Sequence, residues 1–229
     1  MNLFNSKGLI LAAVGVLSAC QAQAGQYGPT IRTMAGATRA NELNPNSTAL
    51  VVIDFQNEYF TGKMPIPDGM EALRNAKRLV AFADRNKIPV FHVQHVLPAG
   101  APLFAEGSES VKFHPELQPQ PGQKVVRKNT VSVFPSTDLD AQLRAAGIKT
   151  LIVSGLMTHA CVAGAARDAA PLGYEVIVSS DASATRNIDA PGIGAIEHGD
   201  LHRGALMGIA DTFGDVMTTE EIIALPLKL

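Results

Sequence analysis

The stretch Lys149-Thr-Leu-Ile-Val-Ser-Gly-Leu-Met-Thr-His-Ala-Cys-Val162 combines a predicted buried strand with the residue best suited to chemistry. Its apolar half is typical of a parallel strand covered on both faces. Cys161 follows, where the strand should give way to a helix from about His159 to Leu172. Backbone N–H groups and the helix dipole at such a start favour a thiolate and can hold an oxyanion. The stretch therefore predicts a nucleophilic cysteine, with an inert core cysteine as the alternative.

Apolar strands alternate with amphipathic helices on both sides of this stretch. This alternation predicts an α/β fold, in which a mainly parallel sheet lies between helix layers and the crossovers are right-handed. The predicted strands are Ala49–Asp54, Ile88–His95, Lys124–Arg127, Thr150–Ser154, Tyr174–Ser179 and a short strand near Val216. The other predicted helices are Met70–Asn86, Thr137–Ala146, Glu197–Asp211 and a terminal turn over Thr219–Ala224.

Three residues with suitable chemistry lie at or just after predicted strand ends: Asp54, Lys128 and Cys161. Ligands of parallel sheets bind beyond the carboxyl ends of the strands. Residues more than a hundred positions apart are thereby predicted to meet at one edge of the sheet. A turn carboxylate at Asp54 and a solvated surface lysine at Lys128 are the alternatives.

The segment 97–122 is longer than most connections and contains Phe104 and Phe113 among Pro, Gly and polar residues. Loops of this length in compact domains are often functional. We interpret it as a lid or a subunit-contact loop, with disorder as the alternative.

The amino terminus has the pattern of an export signal. A short polar start precedes an apolar run that ends at Leu17-Ser-Ala-Cys20, which resembles a lipobox. Residues 1–19 are predicted to be a signal peptide, leaving a lipidated Cys20 that anchors the protein to a membrane. Cleavage after Ala24 is the alternative, with a signal peptide of residues 1–24 and a soluble periplasmic protein. Residues 20–46 are then an arm or tether and residues 47–229 a single domain.

Composition excludes some partners. The formal net charge is -2, with 17% charged and 5% aromatic residues. The chain therefore offers neither a basic stripe nor a stacking platform for nucleic acid. Because Cys20 lies in the signal region, Cys161 has no intramolecular disulfide partner, which favours a reactive thiol.

Four motifs together resemble the isochorismatase-like cysteine hydrolases, over about Asn44 to Ala224. They are Val51-Val-Ile-Asp-Phe-Gln-Asn-Glu58, Val125-Val-Arg-Lys-Asn-Thr-Val-Ser-Val-Phe134, Ser154-Gly-Leu-Met-Thr-His-Ala-Cys-Val162 and Arg167-Asp-Ala-Ala-Pro-Leu-Gly-Tyr-Glu-Val176. The resemblance implies a three-layer α/β/α, Rossmann-like sandwich and homo-oligomers. It also implies an Asp-Lys-Cys triad at Asp54, Lys128 and Cys161.

The resemblance further implies a cis peptide near Met157-Thr158 and an oxyanion hole. The backbone N–H groups of Thr158 and Cys161 are the predicted donors. Cys161 would attack a carbonyl carbon, Asp54 would move the protons, and Lys128 would offset the like charges.

The expected substrate is a small molecule with an amide or other C–N bond. Two alternatives are an isochorismatase-type vinyl ether hydrolase and a non-catalytic surface lipoprotein that binds a ligand. Residues adjoining the triad motifs are the candidate pocket residues: Asn57, Tyr59, Phe60, His95, Phe134, Thr158 and His159.

No cofactor and no metal are expected. Nicotinamidases of this superfamily carry an Asp-x-His metal element, which this chain lacks. His198 and His202 have the i, i+4 spacing of a metal pair, but no third ligand is evident, so a structural role is favoured over a metal hydrolase. His92 and His95 face opposite sides of their strand, and His95 is nearer the strand end.

Overall fold

Six parallel strands form the central sheet that the alternating pattern predicts. A computed structural model describes residues 27–228 of the chain. In chain order the strands are β1 Thr48–Ile53, β2 Val90–His95, β3 Lys124–Lys128, β4 Thr150–Leu156, β5 Glu175–Ala184, β6 Ile188–Ala190, β7 Gly194–Ile196 and β8 Asp215–Met217. Strands β6 and β7 form a separate antiparallel hairpin, which the sequence patterns did not predict.

Helices cover both faces of the sheet, which confirms the three-layer α/β/α fold. They are α1 Ile31–Met34, α2 Gly69–Arg85, α3 Leu139–Ala145, α4 Ala163–Ala169, α5 His198–Thr212 and α6 Thr219–Ile223. Residues of α2 and α6 pack in one apolar core, and residues of α3, α4 and α5 pack in the other. Strand β1 serves both cores, because Leu50 and Val52 face the first and Val51 and Ile53 face the second.

The strand order β3-β2-β1-β4-β5-β8 places a topological switch beside β1. The chain moves outward from β1 through β2 to β3, and then returns to β4 on the other side of β1. Crevices beyond the carboxyl ends of strands at such a switch are the usual ligand sites of parallel sheets. The ends of β1 and β4 therefore define the place to look for chemistry.

The main difference from the predicted elements lies after β4. This strand runs to Leu156, and after Met157 the five residues Thr158–Val162 form a π-helical turn before α4 begins. Helical structure therefore begins within one residue of the predicted start at about His159, but its first turn is π-helical, and α4 ends at Ala169, three residues before the predicted end at about Leu172. The hydrogen bonds of a π-helix span one residue more than those of an α-helix, and such turns are frequent at functional sites.

Gly155 permits the close approach of β4 to β1. Its φ is 150°, and a Cβ at this position would lie 2.5 Å from the carbonyl oxygen of Ile53. An L side chain there would clash with the backbone of β1 and would also have to adopt a strained positive φ. The packing of β1 against β4 therefore requires glycine at position 155, just before the turn Thr158–Val162, which we call the Cys161 turn.

The long loop 97–122 is folded onto the domain and is not disordered. Phe104, Val111 and Leu117 are buried in the core. The backbone N–H of Glu58 donates to the carbonyl of Ser110, which ties the loop to the segment that follows β1. The loop covers the carboxyl end of β1.

Of the predicted arm 20–46, residues 27–46 are described, and several bind the domain. Asp215 at the start of β8 accepts from the Arg32 side chain at 2.8 Å and from the Ala40 backbone at 2.7 Å. Leu43 is buried in the core. The predicted signal peptide, its cleavage sites and Cys20 lie outside the described residues. No helix within 27–228 is long and apolar enough to cross a membrane.

Candidate active site

Asp54, Lys128 and Cys161 meet at the carboxyl edge of the sheet, as the strand ends predict. Asp54 directly follows β1 and has a left-handed backbone, with φ at 55°. Lys128 is the last residue of β3, and Cys161 lies in the turn Thr158–Val162 after β4. A left-handed aspartate is uncommon, and such conformations cluster where surrounding structure enforces them at functional sites.

The Lys128 ammonium lies at the centre of the cluster. Its Nζ is 2.7 Å from Asp54 Oδ2 and 3.5 Å from Cys161 Sγ. It also donates to the ring Nδ1 of His95 at 2.7 Å and to the carbonyl of Thr130 at 3.2 Å. The Lys128 and Asp54 side chains are both 0% exposed, so the surface lysine and turn carboxylate alternatives are wrong. Buried charges of this kind are tolerated only when paired and hydrogen-bonded.

Burial sets the protonation of the cluster. It raises the pKa of Asp54, while Lys128 acts in the opposite direction. It also raises the pKa of the Cys161 thiol to about 12, helped by the Asp54 charge and opposed by Lys128. Desolvation therefore opposes the thiolate that the helix start favours. The resting thiol is protonated, and the Asp54 carboxyl group lies beside it.

His95 binds Lys128 and is neutral. Burial and the Lys128 charge lower the pKa of His95 from 6.5 to about 4. A neutral ring can accept the ammonium hydrogen bond through Nδ1. The Gln56 side chain fixes this strand end by accepting from the His95 N–H and donating to its carbonyl, each at 2.8 Å. The contact with Lys128 was not predicted, since sequence spacing does not show which side chain an ammonium will reach.

Tyr59 is the predicted pocket residue that the structure brings to the thiol. Burial, together with the nearby Cys161 and Asp54, raises the pKa of Tyr59 well above its usual range. The ring of Phe104 packs edge-on against Tyr59 at 5.3 Å and beside His95 at 4.8 Å. The long loop thereby supplies an apolar wall next to the buried charges.

Other predicted pocket residues have partners away from the triad side chains. Asn57 donates to the carbonyl of Glu109, and the Phe60 ring packs on His114 at 4.4 Å. Phe134 stacks with Tyr174 at 6.3 Å. These contacts explain packing of the loops, and the substrate roles of these residues stay predictions.

The Cys161 turn is fastened through its first two residues. Thr158 is fully buried, and its hydroxyl is 2.8 Å from the His202 ring on α5. His159 Nδ1 is 2.6 Å from the Thr185 hydroxyl, beyond the end of β5. A non-proline cis peptide is present in the predicted loop, at Leu156–Met157, one bond before the predicted position near Met157-Thr158. The predicted N–H donors of the oxyanion hole, Thr158 and Cys161, both lie in this turn.

Sequence patterns missed Arg186, which follows β5 near the same edge and lies close enough to affect His159 electrostatically. Its Nε is buried without a hydrogen-bond partner among the described residues, and one terminal nitrogen donates only to the adjacent Asn187 carbonyl. A buried donor of this kind needs a partner. The sequence feature that could have identified Arg186 as a site residue is its position two residues after the end of β5.

The metal-pair interpretation of His198 and His202 is not supported by their contacts. His198 binds Asn187 and Asp68, whereas His202 binds Thr158. Among the described residues, the side chains that gather like metal ligands are Asp54, His95 and Cys161, with ligand atoms within 4.8 Å of one another. Lys128 Nζ contacts all three, so its ammonium competes with any metal for them.

The chain matches known proteins over most of its length. The isochorismatase domain model covers residues 48–221. A secreted isochorismatase effector of Verticillium dahliae is 36% identical over 193 residues, covering 84% of this chain and 98% of that protein. A ureidoacrylate amidohydrolase of Agrobacterium fabrum is 30% identical over 176 residues, covering 62% of this chain and 77% of that protein.

Solved structures agree with this match. A cysteine hydrolase from Pseudomonas syringae superimposes with a TM-score of 0.78 at 29% identity, covering 86% of this chain and 96% of that chain. The chain that carries the Asp54, Lys128 and Cys161 cluster therefore has the same fold as a cysteine hydrolase. The chain belongs to the isochorismatase family of hydrolases.

Proposed function

We propose that this protein hydrolyses an amide or other C–N bond of a small molecule through a covalent intermediate on Cys161. The observation that carries the proposal is the buried Lys128 ammonium, which contacts both the Asp54 carboxylate and the Cys161 thiol. A thiol needs an adjacent base to attack a carbonyl, and a carboxylate beside it needs a cation to offset the repulsion.

The first half-reaction forms a thioester. The Cys161 thiol transfers its proton to Asp54 as its sulfur attacks the substrate carbonyl carbon. A tetrahedral intermediate forms, with its oxyanion facing the N–H groups of the Cys161 turn. Asp54 then gives the proton to the leaving nitrogen, the C–N bond breaks, and an amine departs.

The second half-reaction releases the acid. Asp54 takes a proton from water, the resulting hydroxide attacks the thioester carbonyl, and the carbon–sulfur bond breaks. The proton returns to the Cys161 sulfur. Lys128 is a cation throughout, and its hydrogen bonds to His95 and the Thr130 carbonyl hold it in place.

Amide hydrolysis is favoured over a vinyl ether because the chain retains a thiol with a base beside it. The ureidoacrylate amidohydrolase and cysteine hydrolase relatives support this choice. Arg186 is available to hold a polar or anionic group of the substrate, since its Nε is buried without a partner among the described residues. A ligand-binding lipoprotein without activity would leave the buried triad cluster unexplained.

A library of small amides and esters tests the proposal by comparing wild type with Cys161→Ala, each with and without a chelator. We expect turnover by wild type in both conditions and none by the variant. Equal turnover by both proteins contradicts the cysteine mechanism, and loss of activity in chelator alone supports a metal hydrolase. Absence of both turnover and iodoacetamide labelling at Cys161 supports the binding-module alternative.

We also propose that the protein is exported and forms a homo-oligomer. The secreted Verticillium relative supports export. Ile193 and Ile196 of the hairpin and Met207 of α5 are exposed, and exposed apolar surface of this kind suits a subunit contact. Mass spectrometry of the mature amino terminus separates a lipidated Cys20 from a free Gly25, and light scattering gives the oligomeric state.

A further inference from the structure

The Cys161 turn has unusual internal geometry. Thr158–Val162 is π-helical, and the N–H of Val162 donates to the carbonyl of Met157 at 3.2 Å, five residues back. Such turns are rare and occur mostly as single turns next to α-helical residues. Contacts from outside the turn are therefore of interest for the position of Cys161.

His202 provides one such contact from α5, which packs against the turn. Its Nδ1 is 2.8 Å from the hydroxyl of the fully buried Thr158. In a neutral ring one nitrogen donates and the other accepts, so Nδ1 pairs with the hydroxyl in either tautomer, because a hydroxyl can both donate and accept.

The surroundings of the ring are consistent with a neutral His202. Burial lowers its pKa, as does the neighbouring His198, while Asp68 and the Ser180 hydrogen bond act in the opposite direction. His198 is one helical turn away on α5 and binds Asp68 and Asn187. The hydrogen bond thus connects α5 to Thr158, the first residue of the Cys161 turn.

We infer that the hydrogen bond from Thr158 to His202 is a positioning device, which holds the Cys161 thiol in register with Asp54 and Lys128. This inference rests on the proposed function of Cys161. It assigns no proton transfer to His202, whose ring touches neither the thiol nor the triad carboxylate in the contacts described above. The i, i+4 spacing of His198 and His202 suggested a metal pair, but His202 instead holds the turn that carries Cys161.

The test compares variants that keep or lose the hydrogen bond. Thr158→Val and His202→Phe remove it, Thr158→Ser keeps the hydroxyl, and His198→Ala is the matched control on the same helix. We expect kcat on the best library substrate to fall about three- to tenfold in each of the first two, the factor that one buried hydrogen bond supports. KM should change less than kcat, and the double variant should lose no more than either single variant.

His198→Ala should retain wild-type kcat, and Thr158→Ser, which keeps the hydroxyl, should lose less kcat than Thr158→Val. A kcat that stays at the wild-type value in folded Thr158→Val overturns the inference, as does independent, multiplicative loss in the double variant. The rate of Cys161 labelling by iodoacetamide gives a second reading that needs no substrate. A change of at least threefold in Thr158→Val, with none in Thr158→Ser or His198→Ala, supports the inference, and equal rates overturn it. Failure of the proposed function is distinct, since wild type itself would then show no turnover.

Discussion

Replacing Lys128 with methionine tests the buried ion pair, because methionine retains much of the apolar stem and removes the charge. The Lys128 and Asp54 side chains are both 0% exposed and 2.7 Å apart. Removing one partner of a buried pair leaves an uncompensated charge and costs about 3–5 kcal/mol. Lys128→Met should therefore lower the free energy of unfolding by about that amount at neutral pH.

The loss should depend on pH. Burial already raises the pKa of Asp54 against the opposing effect of Lys128, and without the cation that pKa rises further. A carboxyl group whose pKa is raised in the folded state costs stability as the pH rises from its unfolded pKa, about 4, to its folded pKa, because the unfolded chain releases the proton first. The cost of Lys128→Met should therefore be largest near pH 7–8 and shrink as the pH falls toward 4.

Urea denaturation across this pH range measures both effects. Arg127→Met is the matched control, because Arg127 pairs with Glu106 and their side chains are 54% and 58% exposed. An exposed pair contributes about 0–1 kcal/mol, so the control should change little. Adding Asp54→Asn to Lys128→Met should recover part of the lost stability. If Arg127→Met and Lys128→Met lower the free energy of unfolding equally, or if the effect of Lys128→Met does not vary with pH, the buried ion pair does not have the predicted energy.

Three further predictions concern neighbouring residues. Gly155→Ala should cost about 2–3 kcal/mol by thermal denaturation, since a Cβ there would lie 2.5 Å from the Ile53 carbonyl, whereas Gly204→Ala on the open face of α5 should stabilise by about 0.5–1 kcal/mol. Because burial and Lys128 lower the pKa of His95 to about 4, the unfolded chain binds a proton first as the pH falls. Wild type should therefore lose less than about 3 kcal/mol of unfolding free energy through this partly exposed ring as the pH falls from about 6.5 to 4. In His95→Gln this loss should be smaller, and an unchanged pH profile of stability would contradict the prediction. Arg186→Gln should raise KM at least about tenfold for acidic amides while kcat changes less, and equal KM values in kinetic assays would exclude Arg186 from substrate binding.

Sequence patterns predicted the sheet and the meeting of the triad residues for a physical reason. The near-continuous apolar character of Thr48–Ile53 and Thr150–Leu156 identifies strands covered on both faces, and residues after parallel strands share one edge. Asp54 comes directly after the first of these strands, and Cys161 comes five residues after the second. Lys128 is the last residue of β3, so it lies at the same edge.

The details that depend on tertiary partners could not be predicted. The π-helical turn before α4 depends on external contacts such as Thr158 with His202, 44 positions apart. The neutral His95 and the protonated thiol depend on desolvation, which no spacing shows. The long loop has few periodic signals, yet buried Phe104 fastens it beside Tyr59 and His95.

The proposed mechanism requires a covalent intermediate on Cys161, which can be trapped and identified by its mass. An ester or amide that wild type turns over is quenched in acid during turnover, and the digested protein is analysed by mass spectrometry. We predict an acyl adduct on the peptide that contains Cys161 in wild type and no adduct in Cys161→Ala. Turnover by wild type without an adduct, together with unchanged turnover by Cys161→Ala, would contradict the account.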